Sequence, residues 1–508
     1  GPPRSREDRK AGRRAMQQRK EQKKGEDEAR YFFDQVRQLG GRRPPRKIKT
    51  EQELFGTQGT AGINFKEYQQ IKVSRSGPPD CNDIPSLSNF SALQGVLPPY
   101  LFSNLTLPSR MGYDQPTPIQ QHTVSLGLHG RDIMACAQTG SGKTCAFLVP
   151  LLTSIYNAGF QGKQMPPGST PCLPDALILA PTRELAMQIE LESQKLMFDS
   201  PSRCACVYGG ASARTQLQEC AAAPDIVVAT PGRLTDFLER EPALIDLSFT
   251  RFLVLDEADR MLDMGFEPQL RRIVTNSTLP RERQTLMFSA TFADNVQKVA
   301  QSYLKGDYVF VSVGRIGSTT KNITQKLVEV QEHSCDKRSK LNIVLSQNLI
   351  TRGERTIVFT QKKSTAQWLK RELRKGGFGE VEDIHGDRSQ SQRESALAKF
   401  RSGACDILVA TDVAARGLDV DGIGAVLQFD LPVSKENADD YVHRIGRTGR
   451  AGRTGRATGL FVHGFDPKNG NSVLAPFLRK LLQESKQEVP DWLKGAGGSG
   501  AGGRNGRQ

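Results

Sequence analysis

The sequence predicts an α/β protein of two tandem lobes, each a doubly wound parallel sheet with helices on both faces. The first observation is a recurring pattern in which a short aliphatic run ends in small or polar residues and is followed by a helical period, as in "RFLVLDEAD" and "CDILVATDVAARG". Such near-continuous apolar runs are typical of parallel strands buried on both faces. The second is "VGRIGSTTKNITQ", residues 313–325, which lacks an apolar period and divides the runs into two series.

The 508 residues are enough for two or three domains. We predict a first lobe over residues 86–312, a linker over 313–321 and a second lobe over 322–488. A flanking segment at 53–85 precedes the lobes, and a flexible Gly-rich tail at 489–508 follows them.

Composition limits the functional classes. The chain is 37% hydrophobic and 25% charged, without an apolar run near the roughly 18 residues of a membrane span. We therefore predict no signal peptide and no membrane partner. The nine cysteines contain no CxxC pair, which favours reduced, structural cysteines in a cytosolic or nuclear protein. Metal or redox use of Cys204 and Cys206 is the alternative.

The net charge of +15 is concentrated at the N-terminus. Residues 1–50 hold 17 Lys or Arg and seven Asp or Glu. We predict that residues 1–52 form a disordered basic tail, because so polar a segment cannot bury enough surface to offset its ordering entropy. A solubilising role and a sequence-independent attraction to polyanions both fit this composition.

A phosphate-binding loop is predicted at "AQTGSGKT", residues 137–144, between a strand pattern and a helix pattern. Small residues let backbone N–H groups converge on phosphate oxygens at a helix N-terminus. Lys143 would reach the β and γ phosphates, and Thr144 would offer its hydroxyl to Mg²⁺. Ala137 stands where the strict pattern has Gly. An ordinary Gly-rich turn is the alternative, and the Gly-Lys-Thr triplet disfavours it.

Acidic residues follow the apolar run "FLVL". In parallel sheets, ligands bind at the carboxyl ends of the strands. Asp256 is therefore predicted to hold Mg²⁺, and Glu257 to orient or deprotonate an attacking water. Without a phosphate loop, the same residues would more often be a solvated helix start.

The second series has no phosphate loop of its own. It carries "YVHRIGRTGR", residues 441–450, in which Arg444, Arg447 and Arg450 recur at three-residue spacing. We predict that these arginines complete the catalytic site when the lobes close on the phosphates. Simple polyanion binding is the alternative.

Together these motifs resemble the DEAD-box RNA helicases of superfamily two, over residues 53–493. The family motifs occur in order: "GYDQPTPIQ" (112–120), "AQTGSGKT" (137–144), "PTREL" (181–185), "GG" (209–210), "TPGR" (230–233), "DEAD" (256–259), "SAT" (289–291), "IVFTQ" (357–361), "HGDRSQSQR" (385–393), "ATDVAARGLD" (410–419) and "HRIGRTGR" (443–450). The flanking "ELFGTQGTAGINFKEY" and "VPDWL" are similar to segments that frame the core in the Ded and Vasa subgroup. The resemblance implies two tandem RecA-like lobes.

The resemblance also implies how ATP is bound. Gln120 would pair with the adenine edge and select ATP over GTP, and an upstream aromatic would stack on the base. Phe90 is the candidate, but it lies 22 residues before Gly112, more than is usual, so stacking by Phe102 and a purely structural Phe90 stay open. The implied nucleotide-binding set is Phe90, Tyr113, Gln120, Ala137, Thr139, Gly140, Ser141, Gly142, Lys143, Thr144, Gly417, Asp419, Arg447 and Arg450.

For catalysis, the resemblance implies that Ser289 and Thr291 couple Asp259 to His443. Asp419 would contact the ribose or the γ-phosphate, and Arg447 and Arg450 would be arginine fingers. The implied catalytic set is Lys143, Asp256, Glu257, Asp259, Ser289, Thr291, His443, Arg447 and Arg450, with Thr144 and Asp256 as the metal ligands.

Small, hydroxylated and basic residues at strand ends suit contacts to a nucleic-acid backbone. The implied RNA-binding set is Thr182, Arg183, Gly210, Thr230, Arg233, Gly386, Arg393 and Thr411. Because no aromatic base-stacking motif is visible, we predict binding that ignores base sequence.

The predicted function is an RNA-stimulated ATPase that uses ATP and Mg²⁺ to separate short RNA duplexes locally and to remodel ribonucleoproteins. The predicted partners are single-stranded and short double-stranded RNA, with unidentified regulatory proteins and a monomeric core. An ATP-gated RNA clamp with incidental hydrolysis and a DNA-directed translocase are the alternatives. Subgroup resemblance favours work on messenger RNA, in translation or germ granules, at a cytoplasmic location with nuclear shuttling left open.

Overall fold

The chain forms two compact units in the computed structural model. The first contains the described residues up to 56 together with 72–137 and 141–313, and the second contains the described residues from 314 onward together with Ile71 and Gly140. The described residues are 6–40, 43–44, 49–56, 71–137, 140–159, 172–276, 278–292, 294–314, 323–412, 420, 422–434, 438–449, 454–466 and 468–496. Much of the predicted linker and part of the flanking segment therefore lie outside them.

The first unit is built on an eight-stranded sheet with the order β1-β8-β2-β7-β6-β3-β5-β4. Its strands are β1 Val73–Ser76, β2 Ile133–Cys136, β3 Ala176–Leu179, β4 Cys204–Val207, β5 Ile226–Ala229, β6 Phe252–Leu255, β7 Gln284–Ser289 and β8 Val309–Val313. Only the edge strand β1 runs antiparallel to its neighbour. Because β1 belongs to this sheet, the first lobe starts earlier than the predicted residue 86.

Helices cover both faces of this sheet. Ile178 of β3 enters one apolar core, whereas its neighbours Leu177 and Leu179 enter the other. This alternation explains why the strand is apolar at every position, and it confirms the predicted doubly wound architecture. The helices are α1 Arg6–Leu39, α2 Glu51–Phe55, α3 Pro99–Thr106, α4 Pro118–Leu128, α5 Lys143–Asn157, α6 Arg183–Leu196, α7 Ala213–Ala221, α8 Pro231–Leu238, α9 Ala258–Asp263, α10 Glu267–Val274 and α11 Asp294–Tyr303.

The second unit contains a six-stranded parallel sheet with the order β11-β12-β10-β13-β14-β9. Its strands are β9 Ile323–Val330, β10 Thr356–Thr360, β11 Val381–Ile384, β12 Ile407–Thr411, β13 Ala425–Gln428 and β14 Gly455–Val462. Its helices are α12 Lys337–Ser346, α13 Lys363–Lys375, α14 Gln390–Ser402, α15 Ala438–Ile445, α16 Ala475–Glu484 and α17 Asp491–Gly495.

The predicted disorder of residues 1–52 is wrong for much of that segment, because α1 is a 34-residue helix docked on the first unit. Phe32 is fully buried, and Val36 lies one turn further along the same helix face. Glu28 forms an ion pair with Arg240 at 2.8 Å. Because the segment is mostly basic, its composition does not reveal this short apolar stripe. The stripe packs the helix against the first unit.

The chain end also differs from prediction. Leu493 in α17 is fully buried, and the Trp492 ring lies 5.2 Å from that of Phe461. The predicted 489–508 tail therefore begins with residues that pack on the second unit.

The nine cysteines form no disulfide. Among the described residues, the helices include none with the length and apolar character needed to cross a bilayer.

Candidate nucleotide and RNA sites

The predicted phosphate loop joins β2 to α5. Gly142 caps α5 with a φ of 89°, a left-handed conformation that favours glycine. A Cβ atom at Gly142 would lie 2.5 Å from Nε2 of Gln120, so a larger residue would displace that side chain. The loop therefore ends at the N-terminus of a 15-residue helix, where backbone N–H groups favour an anion. Thr139 lies outside the described residues.

Buried opposite charges meet beside this loop. Lys143 is 6% exposed, and its Nζ donates to the Ala137 carbonyl at 3.1 Å. Asp256 follows β6 and is 3% exposed. Burial raises the pKa of Asp256 to about 6; Lys143 opposes this shift, and the Glu257 carboxylate adds to it. The site thus concentrates negative charge that a cation would balance.

Glu257 has an unusual backbone conformation. Its φ of 51° and ψ of 50° lie in the left-handed region, which costs a residue other than glycine about 1–3 kcal/mol. The buried side chain places Oε2 3.4 Å from a guanidinium nitrogen of Arg260. Its backbone N–H donates to Oδ1 of Asp256 at 2.9 Å. Such local strain at a strand end is typical of catalytic positions.

Asp259 joins α9 to the end of β7. Its Oδ2 accepts hydrogen bonds from the N–H groups of Ala290 at 3.1 Å and Thr291 at 3.0 Å, and from the Thr291 hydroxyl at 3.2 Å. The Ser289 hydroxyl is buried without a hydrogen-bond partner among the described residues. The structure therefore brings together the first-unit half of the predicted coupling motif. His443 lies in the last turn of α15.

Gln120 connects the predicted adenine site to the phosphate loop. Its Oε1 accepts from the Thr117 N–H at 2.9 Å, and its Nε2 donates to the Gly142 carbonyl at 3.1 Å. The Thr117 hydroxyl donates to the Ser141 carbonyl at 2.7 Å. A side-chain amide has two N–H donors and two oxygen lone pairs. One donor and one lone pair therefore remain for the edge of a base.

The prediction that Phe90 stacks on adenine needs correction. Phe90 is fully buried in the core, so its ring has no face to offer a ligand. The partly exposed Tyr113 packs against it, with ring centroids 6.1 Å apart. Tyr113 is the better candidate for stacking on the base, and Phe90 packs against the Tyr113 ring. Phe102 on α3 packs against the same core.

The first-unit residues of the predicted RNA-binding set follow three adjacent strands of the sheet. Thr182 and Arg183 follow β3, Gly210 follows β4, and Thr230 and Arg233 follow β5. The Arg183 guanidinium lies 4.6 Å from the Tyr208 ring centroid. Arg233 donates to the Ala211 carbonyl at 3.3 Å. Both arginines are held by local contacts on the same edge of the sheet.

The second-unit residues of the predicted RNA-binding set lie at three elements of the second unit. Gly386 and Thr411 lie at the ends of the neighbouring strands β11 and β12, and Arg393 lies on α14.

Arg444 is buried in a two-pronged ion pair with Asp412, with both N–O distances 2.6 Å. Arg444 is thus a structural residue rather than one of three phosphate-binding arginines.

Arg447 is 3% exposed, and its Nε donates to the His443 carbonyl at 3.3 Å. Its role as an arginine finger stays a prediction. Gly417, Asp419 and Arg450 lie outside the described residues.

Comparison with known proteins identifies the motifs. The DEAD/DEAH box helicase family matches residues 117–299, and the helicase conserved C-terminal domain matches residues 336–452. The helicase Mss116, bound to single-stranded RNA and UDP-BeF, is 29% identical with a TM-score of 0.66; the match covers 81% of this chain and 82% of Mss116. Saccharomyces cerevisiae Dbp5, bound to RNA and ADP-BeF3, is 28% identical with a TM-score of 0.63; the match covers 78% of this chain and 94% of Dbp5. The chain belongs to the DEAD-box RNA helicase family.

This DEAD-box helicase has two tandem RecA-like α/β units, binds ATP and RNA, and is an RNA-stimulated ATPase. A Dbp5 variant bound to a Gle1 variant and IP6 is also similar, with 28% identity, a TM-score of 0.57, and a match that covers 78% of this chain and 93% of Dbp5.

Sequence reasoning missed a charged cluster beside Gly386 of the helicase. The Asp383 carboxylate accepts bonds from Lys370 at 3.0 Å and from Arg388. Burial alone would raise the pKa of Asp383, but these two cations hold it below its ordinary value. His385 lies 3.2 Å from the same carboxylate. Two consecutive acids inside the strand sequence "VEDI" are the signal that could have revealed the cluster.

A second missed cluster protects the sheet edge at β4. Gln216 on α7 accepts from the Tyr208 N–H at 3.1 Å and donates to the Tyr208 carbonyl at 3.0 Å. These bonds satisfy the backbone groups of the residue that follows the edge strand β4, where unpaired groups would favour pairing with another chain. The carboxyl group of Glu190 on α6 lies nearby. Burial raises its pKa to about 7; Glu219 adds to this shift, and Lys49 opposes it.

We expect Glu190→Gln to stabilise the helicase above neutral pH. An acid whose pKa is about 7 when folded and 4.5 when unfolded binds protons preferentially in the folded state between these values. Stability conferred by Glu190 is therefore lost as pH rises through that window. Glutamine does not ionise, so at pH 8 the variant should gain about 1–3 kcal/mol in the free energy of unfolding. Urea unfolding at pH 5 and pH 8 measures the gain.

The exposed Glu239→Gln variant is the matched control and should show no comparable gain. An equal effect of Glu190→Gln at both pH values would contradict the assignment.

Proposed function

We propose that this helicase is a Ded- or Vasa-like enzyme that separates short RNA duplexes locally and remodels messenger ribonucleoproteins. One observation carries the enzymatic part. In the first unit, the nucleotide residues follow β2, β7 and β6, and the predicted RNA contacts follow β3, β5 and β4, which are the next strands of the same sheet. The pairing of β6 with β3 therefore places Asp256 and Glu257 one strand away from Arg183.

Mg²⁺ is proposed as the metal cofactor, held by Thr144 and Asp256. The residues fit, because burial and the neighbouring acids Glu257 and Asp259 raise the pKa of Asp256 against the opposing charge of Lys143, and a further cation close by would favour the ionised carboxylate. When bound, the ion would neutralise charge on the ATP phosphates.

RNA is proposed to bind through its backbone, without base recognition. Arg183, Arg233 and the backbone near Gly210 supply cationic and N–H donors along one sheet edge. Strand separation would then follow when one strand occupies a path that a regular duplex cannot follow.

Single-stranded RNA should stimulate ATP hydrolysis at least about tenfold more than DNA of the same length and sequence, because only RNA offers 2′-hydroxyl groups. Steady-state ATPase assays at one salt concentration measure this ratio. Arg233→Ala should raise the RNA concentration needed for half-maximal stimulation and leave the KM for ATP unchanged. Equal stimulation by RNA and DNA would favour the DNA-directed alternative.

We propose that the helicase acts on messenger RNA in the cytoplasm, including messenger RNA in ribonucleoprotein granules. Its core is proposed to act as a monomer. Similarity to Dbp5, whose variant binds a Gle1 variant, supports the proposal that a regulatory protein binds this helicase too. RNA crosslinked in cells to a Glu257→Gln variant should be mainly messenger RNA. Recovery of mainly ribosomal or small nuclear RNA would overturn the messenger-RNA assignment.

A further inference from the structure

Arg75 on the edge strand β1 connects three acceptors on two different elements. One guanidinium nitrogen donates to the carbonyls of Cys81 at 2.8 Å and Ile84 at 2.7 Å. The other terminal nitrogen lies 2.8 Å from Nδ1 of His122 on α4. A planar guanidinium can hold several acceptors in fixed directions, which a lysine ammonium on a flexible stem cannot.

His122 is a suitable acceptor for this bond. Burial, and then the Arg75 charge, lower its pKa to about 4, so the imidazole is neutral near pH 7. A neutral imidazole has one ring nitrogen free to accept, and the bond to Arg75 selects the tautomer in which this nitrogen is Nδ1. His122 lies two residues after Gln120 in the same helix.

The chain beyond the two carbonyls continues to the aromatic pair of the site. Along it, the Leu87 N–H donates to the Gln121 carbonyl at 2.7 Å. The Phe90 N–H then donates to the Asp114 carbonyl at 3.0 Å, next to Tyr113. Arg75 is therefore the first of three successive ties that hold this segment against α4 and the loop before it.

We infer that Arg75 is a positioning residue for the adenine subsite: through His122 and the Cys81–Ile84 turn, it holds α4 and the Phe90 segment in the register that places Gln120 and Tyr113 around the base. This inference deepens the proposed assignment of Gln120 to adenine and rests on it. Arg75 itself is not a catalytic residue. Small displacements of binding groups have large effects on recognition, so loss of the tie should act mainly on base selection.

Arg75→Met tests the inference, because methionine keeps the stem and removes every donor. In RNA-stimulated assays, we expect the KM for ATP to rise about tenfold, kcat to stay within about twofold, and the preference for ATP over GTP to fall. Arg75→Lys should recover little of this preference. Ser74→Ala, on the exposed face of the same strand, is the matched control and should behave like the parent protein.

His122→Leu gives an independent approach if Arg75→Met folds poorly. It removes one acceptor and should lower the ATP preference in the same direction, and the double variant should lose less than the sum of the single effects. If kcat and the melting temperature both fall while the preference for ATP over GTP is unchanged, Arg75 only stabilises the fold. That result would overturn the inference.

Gln120→Ala separates this inference from its premise. If Gln120→Ala lowers ATP preference and Arg75→Met does not, the positioning role fails while the adenine assignment holds. If Gln120→Ala leaves the preference unchanged, the adenine assignment and the positioning role both fail.

Discussion

Replacing Glu257 with Gln lowers the rate of ATP hydrolysis by about 10²- to 10⁴-fold, the usual contribution of a general base, while ATP and RNA still bind. Glutamine has the same shape but cannot accept a proton from water. It can keep the contact that Glu257 makes with Arg260 at 3.4 Å, and it leaves the charge of Asp256 in place. The expected result is a stable complex with ATP and RNA that turns over very slowly.

Single-turnover hydrolysis and RNA dissociation measured on the same preparation check this result. Glu267→Gln, an exposed acid of the same unit on α10, is the control and should hydrolyse ATP normally. Near-normal hydrolysis by Glu257→Gln, or rapid RNA release in the presence of ATP, would show that Glu257 is not the base.

Lys143→Ala should weaken ATP binding about 30-fold or more, since loss of one partner from a buried charge pair costs about 2–5 kcal/mol, and the pair here is the ammonium group with the phosphates that it is predicted to bind. Lys143 is 6% exposed, so its ammonium group is shielded from bulk water. Its removal also takes away the cation that holds down the pKa of Asp256, and Asp256 should then be protonated over a wider pH range. Titration with a fluorescent ATP analogue measures the affinity.

Lys298→Ala, at an exposed position on α11, is the matched control and should bind ATP like the parent. Unchanged affinity in Lys143→Ala, with an unchanged melting temperature, would contradict the assigned phosphate loop.

Local chemistry in the sequence is enough to predict the strands and the phosphate loop. Strands such as "ALIL" and "IVVA" are apolar at every position because both faces are buried, and the Gly-Lys-Thr triplet has few structural alternatives. The left-handed Gly142 at the start of α5 follows from the Gly-Lys-Thr triplet, whereas the pairing of Asp259 with Thr291 is implied only by the family resemblance.

Features that depend on tertiary contacts could not be predicted from local sequence chemistry. Phe90 is the sequence's candidate for base stacking, but its ring is buried in a core that includes residues remote in sequence. Arg444 has the same spacing as Arg447, yet the Asp412 carboxylate, 32 residues away, neutralises it. The docking of helix α1 was not predicted, because the overall composition of residues 1–52 does not show that two apolar residues lie on one face of a helix. Each failure reflects a partner whose identity only the folded chain supplies.

The hydrogen bonds of Gln120 have a consequence for nucleobase choice. A flip of its amide would offer guanine the reversed pattern, but it would also point an N–H group at the Thr117 N–H and an oxygen at the Gly142 carbonyl. Each unsatisfied buried group costs about 1–3 kcal/mol. The helix cap thus fixes the orientation of the amide, and under the proposed assignment of Gln120 to adenine this orientation is what disfavours guanine.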